Sequence, residues 1–361
     1  MPLVLALKKV GAALLILLIS LALGEAALRA YNRIRPSFIF HDDSYNRFRV
    51  SPHSKYLGFA TNSLGFYDTE FTKPAGGAFR IVALGDSFAF GVVPYQNNYL
   101  TLLEEFLSRT GSGLQVLNMG ISRTSPADYL NLFVHEGLAL EPDLVLVSFY
   151  VGNDLIDTYN SLRTARPLYE RSYVVALLRF AFRLRTHIEP HPADSRLVYS
   201  DDAPNLSRQY YLEIIGGRAK IYLVGWEGLP VAVDGAMGAI EKIASICQQR
   251  SVPLAVVLIP DETQLNPELQ ATLLATYRIY RESRMDYLQP NRMLAERLDH
   301  GGIPFLDLYP AFAEAARTQR LYKPLDSHWN IAGNRLAAER ITDFLVAQHL
   351  IPVDGERRSG D

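Results

Sequence analysis

The chain is 361 residues long, 48% apolar and 20% charged, with a formal net charge of -2. That length and mix are those of a globular chain and not of a disordered one, and the lack of a basic excess argues against a nucleic-acid partner. The single cysteine, Cys247, excludes an internal disulfide and a cysteine-based structural zinc site; in its helical setting it reads as a small buried apolar residue.

The first element is apolar. Lys8 and Lys9 precede an uncharged run from Val10 to Gly24; Glu25 interrupts it, and Ala26-Ala27-Leu28 follows. With the residues beyond Glu25 the segment reaches the roughly 20 residues that a spanning helix needs. Residues 1–35 are therefore expected to be a signal anchor, or a signal peptide cut after Ala22-Leu23-Gly24. Lys8 and Lys9 favour a cytoplasmic N-terminus, whereas Arg29, Arg33 and Arg35 pull the other way. Export is the preferred reading: a membrane-anchored protein facing the periplasm or cell exterior, with secretion after cleavage as the alternative.

Residues 36–79 are rich in Pro, Ser, Asn, Tyr and Gly and read as a connector with short strands and turns. A regular alternation then begins. Arg80–Leu84 is a strand ended by Gly85, and a helix is expected over 97–108. Leu114–Met119 is a second strand ended by Gly120. Pro126–Leu140 is a second helix, opened by Thr124 and Ser125. Asp143–Phe149 is a third strand. Near-continuous apolar strands separated by helices imply a parallel sheet buried on both faces.

From about 157 to 233 the pattern breaks, which reads as an insertion beside the site. It holds an apolar and basic helix candidate, Tyr173–Leu184, with Arg179, Arg183 and Arg185. A His-Pro loop (187–195) and a strand-like piece, Lys220–Trp226, follow. A lid, a substrate platform and a membrane-contacting face are all open readings for it. Alternation resumes with a helix over 234–250, a strand at Leu254–Ile259, a helical zone over 267–300, a strand at Pro304–Leu308 and a last helix over 331–349. Residues 80–350 make one α/β domain; 351–361 are a polar tail.

In open parallel sheets, ligands bind beyond the carboxyl ends of the strands. Those ends carry Gly85-Asp86-Ser87, Asn118-Met119-Gly120 and Gly152-Asn153-Asp154, and Asp326-Ser327-His328-Trp329-Asn330 precedes the last helix. A serine hydroxyl needs a general base within hydrogen-bond reach, and the base needs an orienting group. Ser87 on a tight turn, His328 as imidazole and Asp326 on the ring's second nitrogen supply this set. An oxyanion would find donors in the backbone N–H groups of Ser87 and Gly120 and in the Asn153 amide. No His/Asp/Glu cluster has metal-ligand spacing, and Gly85–Gly91 lacks the phosphate-loop pattern, so neither metal nor cofactor is implied.

These blocks, in this order, resemble the SGNH/GDSL hydrolase family over roughly Asn62 to His349. Asn62-Ser63-Leu64-Gly65-Phe66 and Leu258–Gln264 are similar to stretches of its anchored bacterial members. The resemblance implies a three-layer α/β/α sandwich around a flavodoxin-like, five-stranded parallel sheet. It implies Ser87 as nucleophile, His328 as base, Asp326 as its partner, Gly120 and Asn153 in the oxyanion hole, and Gly85, Asp86 and Asp154 in support. Two blocks depart from the family pattern. Val151 stands where Gly-x-Asn-Asp has its glycine, and Asp326 precedes His328 by two residues where three are usual. The Asp-x-His-Trp form looks like the variant in proteins that add or remove acetyl groups on cell-surface polysaccharides.

The expected activity is therefore hydrolysis of an O-acyl ester, O-acetyl on a cell-envelope carbohydrate, through an acyl-Ser87 intermediate. The alternatives are an O-acyltransferase using the same residues and a non-catalytic polysaccharide-binding envelope protein. The partners implied are an acylated small molecule or glycan and, through residues 1–35, a membrane. Tyr95, Tyr99, Tyr150 and Trp226 are candidates for stacking on a sugar, with core packing as the competing role, and Trp329 for walling the acyl pocket.

Overall fold

The computed structural model describes residues 2–41, 43–72, 78–109, 113–164, 171–184 and 189–352. Five parallel strands form the central sheet: β1 (Phe79–Gly85), β2 (Leu114–Asn118), β3 (Leu144–Tyr150), β4 (Leu254–Ile259) and β5 (Phe305–Asp307). Their order across the sheet is β2-β1-β3-β4-β5, the flavodoxin-like order, with its switch point between β1 and β3. Because side chains alternate along a strand, the apolar runs feed two cores. Val82, Leu84, Val145, Val147, Val256 and Leu258 face one side. Ile81, Ala83, Leu144, Leu146, Ala255 and Val257 face the other.

Helices cover both faces. In chain order they are α1 (Pro2–Ile34), α2 (Ser87–Phe90), α3 (Tyr99–Ser108), α4 (Pro126–His135), α5 (Val151–Arg163), α6 (Tyr173–Ala181) and α7 (Arg208–Arg218). Then come α8 (Gly228–Gln249), α9 (Glu262–Leu265), α10 (Pro267–Thr276), α11 (Arg278–Arg281), α12 (Gln289–His300), α13 (Tyr309–Ala315) and α14 (Ile331–Ala347). Helices α4, α5, α8 and α12 share the first core, and α3, α13 and α14 the second. This is the three-layer sandwich, with α1 an apolar N-terminal helix.

The connector does more than link. Tyr45 and Phe66 are buried in the first core. Arg47 grips Asp128 through two 3.0 Å hydrogen bonds, and Arg49 grips Glu136 at 2.8 and 3.0 Å. Both acids are on or just after α4, so the lead-in is clamped to the sheet's helical layer. A short antiparallel hairpin, Lys55–Tyr56 with Phe59–Ala60, matches the expected short strands.

Three expectations change. Lys220–Trp226 is not a strand: Ala219–Tyr222 is a 3-10 turn, followed by one isolated bridge from Leu223 to Met285. The same bridge interrupts the helical zone of 267–300. Arg284 O accepts from Val224 N–H at 3.0 Å, and Asp286 N–H donates to Tyr222 O at 2.8 Å, so these groups are diverted from a helical ladder and α11 and α12 stay separate. Helix α8 opens at Gly228, six residues before the expected 234; Pro230 falls in its first turn, where no N–H partner is needed. Arg185 and His187 lie outside the described residues.

Candidate active site

The site is built at the carboxyl ends of β1, β2 and β3. Gly85, the last residue of β1, pairs with Ser148 of β3. Asp86 caps α2, its Oδ1 accepting from Phe88 N–H at 2.9 Å. Ser87 opens α2, and its N–H is one of the first-turn donors a helix leaves unpaired. The strand-to-helix turn thus presents the hydroxyl half-buried and fixed.

The second half comes from the loop before α14. Tyr322 and Trp329 form an antiparallel bridge, and Asn330 caps α14 by accepting from Gly333 N–H at 2.9 Å. Held between them, His328 brings Nε2 to 2.7 Å from Ser87 Oγ. Its Nδ1 lies 2.6 Å from Asp326 Oδ1, which also accepts the His328 backbone N–H at 3.1 Å. The other Asp326 oxygen accepts from Asn205. Ser87, His328 and Asp326 therefore form one hydrogen-bonded row, with Nδ1–H pointing at the carboxylate and Nε2 free to accept from the serine. Burial pushes the Asp326 carboxyl up. The His328 charge and its hydrogen bonds, with that from Asn205, outweigh burial and hold the pKa below the ordinary carboxylate value. An ionised acceptor on Nδ1 is what an imidazole needs to gain a proton at Nε2.

Gly120 follows β2 and lies against α2. A Cβ there would fall 2.2 Å from Phe90 N and 2.5 Å from the Ala89 carbonyl carbon, so only glycine lets the two turns meet. Its N–H donates to Asn118 Oδ1 at 2.9 Å. Asn153 is in the first turn of α5, where its side chain hydrogen-bonds Asp157; an amide has a second N–H to give. Asp154 is fully enclosed, accepting from Tyr150 N–H at 3.0 Å and the Tyr129 hydroxyl at 2.9 Å. Burial, then the nearby Asp86 charge, pushes its carboxyl well above the usual range. Burial likewise raises Asp86 to about 6, and its Oδ2 has no hydrogen-bond partner.

The unusual Val151-Gly152 pair has a local cause. A Cβ on Gly152 would lie 2.8 Å from the Tyr150 ring and 2.9 Å from Asp261 Cγ. Asp261 sits under this turn, accepting from the Tyr150 and Tyr222 hydroxyls at 3.1 Å each. The Leu258–Gln264 stretch therefore serves the site: β4 ends there, and Asp261 and Gln264 form a reciprocal cap on α9.

Sequence reasoning missed Arg218. From α7 its guanidinium donates to Ser327 Oγ at 2.9 Å and to the Tyr150 hydroxyl at 3.2 Å. Burial lowers its pKa, but Tyr150, Asp261, Asp157 and Asp86 around it outweigh that and keep it charged. Asn205 was missed for the same reason: both come from the irregular stretch before α8, with no motif to mark them. Trp329 is a core residue rather than a pocket wall. It is 1% exposed and packs on Phe88, Tyr99 and Phe312 with ring centroids 4.8–5.6 Å apart, backing the turns that carry Ser87 and His328. Tyr99 and Tyr150 are fully buried and closed to a sugar face. Tyr95 stacks on Phe59 at 3.8 Å, and Trp226 packs edge-on against Tyr159 at 4.8 Å.

Comparison with known proteins adds a family. Residues 232–358, which carry Asp326 and His328, match the family described as SGNH hydrolase-like domain, acetyltransferase AlgX. No curated protein matches the chain. Among solved structures, a G-D-S-L family protein from Desulfitobacterium hafniense DCB-2, described as lipolytic, is 15% identical, covering 74% of this chain and 99% of that one at a TM-score of 0.39. The acetyl xylan esterase AlAXEase is 13% identical, with 73% and 98% covered and a TM-score of 0.38. The lipase/acylhydrolase from Enterococcus faecalis is 14% identical, with 75% and 96% covered and a TM-score of 0.39. The stretch that carries His328 is thus similar to an SGNH hydrolase-like domain, and it stands on a sheet whose five strands run in flavodoxin-like order.

Proposed function

We propose that the protein is a serine ester hydrolase that removes an O-acyl group, acetyl in the first instance, from a cell-envelope carbohydrate. His328 Nε2 takes the Ser87 proton as Oγ attacks the ester carbon. The carbonyl oxygen becomes an oxyanion, for which Ser87 N–H, the free Asn153 amide N–H and the Gly120 N–H, shared with Asn118, are the donors. His328 then passes the proton to the departing sugar oxygen, leaving acyl-Ser87. A water, deprotonated by the same nitrogen, releases the carboxylic acid and restores the serine hydroxyl. Asp326 holds the ring and balances the imidazolium. Asp86 and Asp154 set the two turns, and Arg218 positions the loop through Ser327.

The observation that carries this reading is the pair of contacts on one imidazole, 2.7 Å to Ser87 and 2.6 Å to Asp326. We further propose that residues 1–35 anchor the enzyme in a membrane, facing the periplasm or cell exterior, and that the stretch from about 157 to 233 is an insertion on the hydrolase domain. The test is hydrolysis of p-nitrophenyl acetate by the full-length protein in detergent, wild type beside Ser87→Ala. Wild-type turnover lost in the variant is expected; equal rates in the two would place the chemistry elsewhere.

The description of the matched family favours a second reading, in which acyl-Ser87 is passed to a sugar hydroxyl instead of water. Adding a glycan acceptor separates the two. Transfer predicts acylated glycan and a faster release of p-nitrophenol, whereas hydrolysis predicts neither.

A further inference from the structure

Helix α6 is at odds with the rest of the domain. Its sequence, Tyr173–Ala181, is apolar on nearly every side, yet not one of its residues is buried. An all-apolar helix in a water-soluble setting would be enclosed. Here Leu178 is 48% exposed, and past the helix end Phe182 and Leu184 are 69% and 63% exposed. The side of α6 that does pack is turned towards α1 and the Phe38–Phe40 turn. Phe40 stacks on Tyr173 at 4.6 Å, and Phe38 meets Phe180 edge-on at 5.5 Å.

The junction with α1 is specific. Glu25, the acid that interrupts the apolar run, caps α6. Its carboxylate accepts from Tyr173 N–H and Val174 N–H at 3.0 Å each and from the Ser172 hydroxyl at 2.8 Å. Arg29 pairs with Glu25, donates to Arg171 O at 2.7 Å and lies 4.7 Å over the Tyr173 ring. The first turn of α6 is thereby fixed level with the point where α1 changes from apolar to charged. A groove of about 580 Å³ runs between the two helices, lined by Leu21, Val174, Val175 and Leu178. Glu25, Arg29, Arg171 and Ser172 line the same groove, so the apolar surface passes from α1 to α6 beside the polar junction.

We propose that α6 and the turn after it are a second membrane contact, lying in the bilayer interface beside α1. Leu178, Phe182 and Leu184 enter the boundary between headgroups and acyl chains, while Arg179 and Arg183 reach lipid phosphates. Charge supports a lipid occupant over a protein one: residues 164–188 contain five arginines and one acid, Glu170, and arginines beside exposed apolar side chains are the pattern of an interfacial helix. The proposal rests on the reading of α1 as a membrane anchor. It adds that the hydrolase domain is held against the bilayer and does not swing freely on a tether.

The test uses the full-length protein in vesicles of phosphatidylcholine and phosphatidylglycerol. Cys247 is the only cysteine, so in a Cys247→Ala background single cysteines at Leu178, Phe182, Ile16 and the exposed Ile279 carry an environment-sensitive fluorophore. Each position is exposed, and retained esterase activity reports that the variant is folded. Blue-shifted emission at Leu178 and Phe182, quenched by lipids nitroxide-labelled near the headgroup several-fold more than at Ile279, is expected, with emission at Ile16 quenched by lipids nitroxide-labelled deep in the acyl chain. Quenching at Ile16 without quenching at Leu178 and Phe182 would overturn the proposal and leave the anchor standing. Quenching at Leu178 and Phe182 but not at Ile16 would keep the interfacial contact and overturn the anchor. Probes at Leu178 and Phe182 shielded from both nitroxide lipid and aqueous iodide would show a protein partner, or a second copy of this chain, in place of lipid, and would also overturn it.

Discussion

The two ends of this molecule obey opposite rules. Around Ser87, polar groups are drawn inside and almost every one is met: Asp154 by Tyr129 and Tyr150, Asp261 by Tyr150 and Tyr222, Asp326 by His328 and Asn205. Along α1 and α6, large apolar side chains such as Leu15, Ile16, Leu178 and Phe180 stay exposed. A buried polar group without a partner is costly, so a site of this kind is rigid and intolerant of substitution. Apolar groups already outside contribute little to the fold, and their cost appears only in water. The contrast separates residues selected by the domain's own packing from residues that this packing leaves exposed.

The sharpest break in that comparison is at the proposed catalytic row. Ser87→Ala and His328→Ala are each expected to lower turnover by about 10³-fold or more, roughly 4 kcal/mol of barrier, because the members act as a unit. Asp326→Asn is expected to cost as much or less. Near-full activity in that variant would mean that another carboxylate orients His328. Steady-state rates on p-nitrophenyl acetate measure all three. Next in size is Gly120→Ala. Its methyl group would meet backbone atoms of Ala89 and Phe90 at 2.2–2.5 Å, so α2 and Ser87 must move. A displacement on the order of 1 Å there is expected to cost about 10²-fold in turnover, with a loss of about 1–3 kcal/mol in denaturant unfolding.

How much of this was readable beforehand follows the same division. Four of the five strands were legible because each is a short, largely buried apolar run ended by a turn residue; β5, half-buried along its length, was legible only from its place after a helical zone. The hydrogen-bonded row of Ser87, His328 and Asp326 was legible because a serine on a tight turn after a strand calls for an imidazole and a carboxylate, which the loop before α14 offers two residues apart. Arg218 and Asn205 were not, since they reach the site from α7 and the loop before it by long-range packing with no fixed spacing to the triad. Lys220–Trp226 read as a strand because its residues suit one, but only Leu223 finds a bridge partner. Trp329 read as a pocket wall from its place beside His328, while its ring turns inward onto Phe88 and Phe312. For α6 the apolar run was plain; that it stays uncovered is a property of the fold around it.

A smaller effect tests whether the polar end is tuned or only tolerated. Asp86 is held protonated up to about pH 6 by burial, against an ordinary carboxylate value of 3.8. Between those two values the folded state binds the proton and the unfolded state has released it. Stability therefore falls as pH rises through the window, and the loss is complete above the folded value. Asp86→Asn keeps the oxygen that caps Phe88 N–H and removes the ionisation. The variant is expected to gain on the wild type as pH rises from about 4 to 7, by on the order of 1–3 kcal/mol, with no such trend below pH 4. Urea unfolding across that range measures it; a gap independent of pH would mean that the Asp86 proton is not linked to folding.

The smallest expected effect is at the other end, and it carries the comparison furthest. Truncating a phenylalanine inside a core costs about 3–5 kcal/mol. Phe182 is 69% exposed, so Phe182→Ala in detergent is expected to change the unfolding free energy by less than about 0.5 kcal/mol. Activity on a small soluble ester should stay at the wild-type level. A large loss in detergent would show that this side chain belongs to the domain's own packing, and the division between the two ends would fail at that residue. With stability unchanged, the apolar character of Phe182 has no account within the fold, and its cause lies in what the surface meets.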